Sequence, residues 1–170
     1  MSIPSDRNRQ RPAVSIGLVL YAKEQDTDNW ARWLKDELER CMGEDFPDFS
    51  WEISVLKRHD FPGQVPLDPL SLLEFGSDIK IEYGLDYVLV LTTMPMKSRF
   101  SQGVNGVPSN MLETGAITLS RILELDDQDK RRRALMSLVR HILGHLWGLD
   151  HNDDSVMQPR KFWTGHPPTD

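Results

Sequence analysis

Three of the chain's five histidines fall within the eleven residues from His141 to His151. His141 and His145 are four apart. On an α-helix, at about 100° and 1.5 Å per residue, their imidazoles leave one face a single turn apart. Two ring nitrogens so placed can share a metal ion at about 2.0–2.1 Å. Gly148 follows, a residue free to take positive φ, end the helix and bend the chain back. His151 can then return as a third ligand. Three neutral imidazoles suit zinc best, and copper, nickel and cobalt also accept such a set. Three protein ligands leave a fourth position for water, as in catalytic rather than structural zinc sites. The competing explanation is a helix with two satisfied histidines and a third by chance. The clustering and the glycine at the bend favour a metal site.

The spacing His-x-x-x-His-x-x-Gly-x-x-His resembles the zinc signature HExxHxxGxxH of the metzincin metallopeptidases. Histidines and glycine match position for position, but Ile142 stands where the family places its general-base glutamate. Among the branches of that family the chain is most similar to the archaemetzincins. The resemblance implies an α+β, zincin/metzincin-like fold: a mixed twisted sheet of four to five strands packed on a long active-site helix and two further helices. It implies one zinc ion held by His141, His145 and His151. Met157, in Asp154-Ser-Val-Met157, looks like the family's Met-turn beneath the metal. Ala116 to Arg121 looks like the strand leading to the active-site helix, and residues 97–113 like the edge along which an extended substrate lies. Asn152 stands where archaemetzincins begin the cysteines of a second zinc site, so no second zinc is expected. The thirteen residues after Met157 form a short tail, too short for the family's usual lower subdomain.

Isoleucine can neither take a proton from a metal-bound water nor pass one to a leaving amine. General acid–base assistance is typically worth about 10²–10⁴-fold. A zinc ion alone still lowers the pKa of its water toward roughly 7. Leu135, Leu138, Val139, Ile142 and Leu146 recur at helical intervals, so Ile142 continues an apolar row. Two functions follow. The first is a zinc-binding pseudo-metallopeptidase that serves as a binding or regulatory module, with a peptide or protein partner added along residues 97–113. The second is an active zinc-dependent metallopeptidase or hydrolase whose base lies elsewhere, with Asp150, Asp153, Asp154, Glu113 and Glu124 as candidates. A metal-free structural domain is the third and plainest reading.

The elements that must position these residues can be read along the chain. Residues 1–13 are polar and basic and read as a flexible segment, with one domain from 14 to 170. Val14 to Tyr21 reads as a buried strand. Trp30, Trp33, Leu34, Leu38 and Cys41 mark a helix closed by Gly43. Phe49 to Leu56 alternates as a half-buried strand, and 57–69 is a loop holding His59 at the surface. Asp68 caps a helix from Pro69 to Tyr83 ended by Gly84. Asp86 to Thr93 is apolar nearly throughout and reads as the central strand. Residues 97–113 suit an irregular segment or weak edge strand. Ala116 to Leu123 reads as a strand, and a long helix spans Asp127 to Trp147. Its basic run, Lys130 to Arg133, reads as a solvated face.

A net charge of −6 argues against nucleic-acid and anionic-membrane partners. A single cysteine excludes an internal disulfide framework and fits a cytoplasmic setting. No stretch approaches the roughly 20 apolar residues that cross a bilayer.

Overall fold

A computed structural model describes residues 11–21, 27–60, 63–97 and 102–151. The chain runs β1 (Ala13–Tyr21), α1 (Thr27–Asp45), β2 (Ser50–Lys57), α2 (Pro69–Tyr83), β3 (Tyr87–Thr92), β4 (Met96–Lys97), β5 (Gln102–Val104), β6 (Gly106–Ser109), β7 (Thr114–Thr118) and α3 (Gln128–Leu146). Five strands form one mixed sheet in the order β2-β1-β3-β7-β6, with β4 and β5 pairing separately. The strands from β2 to β7 are parallel, and β6 lies antiparallel on the β7 edge. β3 is therefore the middle strand, as its unbroken apolar run requires.

Helices cover both faces, which is why the parallel strands are apolar on both sides. Ile16, Leu18, Leu20, Leu89, Leu91 and Ile117 point to one face and pack with α1 and α3. Val19, Tyr21, Val88, Val90 and Ala116 alternate to the other and pack with Leu72, Leu73 and Ile79 of α2. Asp68 caps α2 by accepting from the Leu70 N–H, Pro69 opens it, and Gly84 ends it at φ 64°. Trp30 and Trp33 meet edge to face at 6.1 Å and lie against the core, as does half-buried Cys41.

Three sequence expectations are corrected. α1 continues past Gly43 to Asp45. The Phe46 N–H donates to the Met42 carbonyl at 2.9 Å, extending the last turn. A Cβ at position 43 would meet nothing, so packing imposes no stop there. The strand expected from Ala116 to Leu123 is instead β7, Thr114–Thr118. Thr118 ends it: its hydroxyl donates to the Met94 carbonyl at 2.7 Å and accepts from the Ser120 N–H at 3.1 Å. Beyond it Leu123 N–H donates to the Leu119 carbonyl, so buried Leu119 and Ile122 reach the core from a turn. The basic run on α3 is not wholly solvated. Arg131 Nε donates to the Leu125 carbonyl at 2.6 Å, and Arg132 lies 5.3 Å from the Trp33 ring centre. Residues 97–113 contain short β5 and the β6 edge strand, consistent with the weak edge read from their composition.

Among the described residues no helix is long and apolar enough to cross a membrane.

Candidate metal centre

α3 carries the first two histidines. Asp127 caps its start by accepting from the Asp129 N–H. Its apolar row, Leu135, Leu138, Val139, Ile142 and Leu146, is buried against the sheet. At about 100° per residue His141 and His145 leave the flank of that row. His141 is buried, His145 half-buried and His151 exposed.

The helix stops where the histidine spacing needs it to. Gly148 takes φ +77°. Its N–H donates to the His145 carbonyl at 3.0 Å, and the Leu149 N–H donates to the Gly144 carbonyl at 2.9 Å. This is the paired-bond C-cap that a left-handed glycine permits. The chain then folds back and brings His151 to the other two.

The three Nε2 atoms converge. His145 Nε2 lies 3.0 Å from His151 Nε2, which lies 3.4 Å from His141 Nε2. All three ligand atoms fall within 4.8 Å of one another. Tetrahedral zinc with bonds near 2.05 Å separates its nitrogens by about 3.3 Å. The donor set and its spacing therefore fit one metal ion. Burial first, then the neighbouring His141 and His151, hold the His145 pKa below its ordinary value. A backbone hydrogen bond at Leu149 and the charge of Asp150 pull the other way. A neutral imidazole oriented by a backbone partner is the form that ligates a metal.

Ile142 is 1% exposed. A Cβ built on Gly115 would come within 2.5 Å of its Cγ2, and one on Gly106 within 3.1 Å of its Cδ1. Two glycines, one on β7 and one on β6, thus leave the space that the isoleucine fills. Neither was singled out by sequence reasoning. Gly115, inside a strand otherwise made of Thr, Ala and Ile, was the available signal, because glycine in a strand marks a close approach.

The candidate substitute bases are scattered. Glu113 pairs with Lys80 of α2. Glu124 lies before the start of α3, the end remote from His145. Asp150 is exposed and adjoins His151. Met157, Asn152, Asp153 and Asp154 lie outside the described residues. His59 is an exposed loop residue away from the histidine cluster.

On the opposite flank of α3, Trp147 meets Phe46 at 5.5 Å, Trp51 at 6.1 Å and Tyr87 at 6.5 Å between ring centres. These rings anchor the helix end that carries His141 and His145 against β2, β3 and the residue that follows α1. Arg140 adds an ion pair to Asp45 at 2.9 Å.

No family model matches the chain, and no curated protein matches it. Solved structures do. An archaemetzincin from Methanopyrus kandleri superposes with a TM-score of 0.68 at 20% identity, covering 88% of this chain and 82% of that one. An archaemetzincin from Archaeoglobus fulgidus gives 0.62 at 15% identity, over 85% of both chains. The fold is archaemetzincin-like. A zinc-dependent peptidase from Methanocorpusculum labreanum gives 0.63 at 17%, over 84% of this chain and 86% of that one. At such identities the likeness is one of architecture. It agrees with the α+β, metzincin-like sheet and three helices expected from the sequence. In this fold α3, which carries His141 and His145, packs against β6 and β7.

Proposed function

We propose that this chain is a zinc-binding, metzincin-like pseudo-metallopeptidase that acts as a binding or regulatory module. One observation carries the reading: the three histidines converge as a ligand set while the residue in the general-base position is buried against Gly115 and Gly106. Zinc is favoured by the three imidazole donors and by the zinc-dependent peptidase among the structural neighbours. When bound, the ion would supply Lewis-acid polarisation. His141, His145 and His151 would hold it, and no side chain at position 142 would accept a proton.

The partner is an extended peptide or protein segment. β6 is the last strand of the sheet, and its outer edge pairs with no strand among the described residues. A peptide adding there would lie beside the helix face that bears His141. Localisation is cytoplasmic on this reading, in keeping with the single cysteine.

The test is a proteolysis assay on casein and a peptide library with untagged, zinc-loaded protein and its His141→Ala variant. The expected result is stoichiometric zinc without turnover. Cleavage at an ordinary enzyme rate that disappears in His141→Ala would replace this reading with that of an active hydrolase using a different base.

A further inference from the structure

A cleft lies at the other end of the sheet from the histidines. It has a volume of about 450 Å³ and includes Met96, Lys97, Asn105, Ser120, Arg121 and Glu124 in its wall. Its walls come from the segments that follow β3 and β7, so it opens at the carboxyl ends of two adjacent parallel strands. The carboxyl ends of the parallel strands are the side of an open α/β sheet on which ligands bind, and the volume is that of a small-molecule site. The metal centre is remote: His141 is thirteen residues into α3 from Gln128, about 20 Å along the helix axis.

The floor is rigid. Met96 is 2% and Asn105 4% exposed. The Asn105 carbonyl accepts from the Thr118 N–H at 2.8 Å, and the Lys97 N–H donates to the Leu67 carbonyl at 3.0 Å. The charges above that floor are unspent. Among the described residues the Arg121 guanidinium and the Lys97 ammonium make no ion pair or side-chain hydrogen bond, although most other arginines of the fold are tied to carboxylates, carbonyls or rings. Among the described residues Glu124 is the single carboxylate in the wall, so these residues give the cleft a local excess of one positive charge within a chain of net −6. Arg121 is half-buried, so its fork is partly fixed before any ligand arrives.

We infer that this cleft binds a small organic molecule through one oxyanion, a carboxylate or a phosphate, held by Arg121 and Lys97. The guanidinium supplies paired donors to two oxygens, and the ammonium supplies a point charge. Glu124 limits the ligand to a modest negative charge.

Calorimetric titration of the full chain with inorganic phosphate and, separately, with succinate tests this. Saturable binding of one anion in preference to the other identifies the group. Arg121→Gln weakens that binding about tenfold or more, Arg121→Lys weakens it less, and His141→Ala leaves it unchanged. Amide resonances of Asn105 and Ser120 in the unaltered protein move on titration, a readout that needs no variant to fold. No saturable binding of either anion overturns the proposal. So does binding that survives Arg121→Gln, or that disappears in His141→Ala because the anion sits on the metal.

Discussion

Ile142 and Gly115 are packed so closely that a methyl group at position 115 would lie 2.5 Å from the isoleucine Cγ2. Position 142 therefore has a packing role of its own, whatever its bearing on chemistry. The side chain there forms part of the contact between α3 and the sheet. Gly115→Ala is expected to cost about 1–3 kcal/mol through overpacking. Ile142→Ala costs about 2–5 kcal/mol through a cavity. The double variant is more stable than the sum predicts, because the new methyl enters the vacated space. Denaturant unfolding of the four proteins gives the coupling, expected at about 0.5–3 kcal/mol.

Placing a glutamate at position 142 is expected to fail as a simple gain of function. In Ile142→Glu an ionised carboxylate replaces a side chain that is 1% exposed, and an unpaired buried charge is strongly unfavourable. The variant should unfold at lower temperature than the native protein in the absence of metal. Zinc should recover more stability in it than in the native chain if the carboxylate reaches the metal water. Melting curves with and without zinc, read beside the peptidase assay, separate a variant that fails to fold from one that folds without activity.

Metal binding should stabilise the native protein by mass action, about 2.7 kcal/mol when free zinc is one hundred times its Kd. His141→Ala, His145→Ala and His151→Ala should each abolish most of that gain. Equal zinc-induced shifts in all four proteins would place the metal elsewhere.

Gly148 sits at φ +77° with open space around a would-be Cβ. Gly148→Ala therefore suffers backbone strain and no clash, at about 1–2 kcal/mol. The strain falls on the bend that returns His151. The expected outcome is a small loss of apo stability with a larger loss of zinc affinity, measured by competition with a chromophoric chelator.

The metal-free protein should lose stability as pH falls. Burial, then His141 and His151, depress the folded-state pKa of His145. The unfolded chain therefore binds the proton first, near the ordinary value of about 6.5. The contribution is complete above that pH and is lost as pH falls through the folded pKa. Chelator-treated protein melted from about pH 8 to about pH 5 should show this decline. His145→Gln should flatten it.

The sequence by itself determined the histidine cluster and its geometry. The i, i+4 spacing, the glycine at the bend and the third histidine are local relations, and helix geometry converts them directly into converging nitrogens. It also determined the central strand and the caps of α2, because Asp68, Pro69 and Gly84 act within a turn of themselves. Tertiary structure alone decided what Ile142 packs against. Its partners Gly106 and Gly115 stand 36 and 27 residues away in the chain and meet it only when β6 and β7 cross α3. The same holds for the end of β7, where apolar Leu119 and Ile122 mimic a strand that a threonine hydroxyl terminates. It holds too for the cleft around Arg121, whose walls come from segments that only the parallel pairing of β3 and β7 brings side by side.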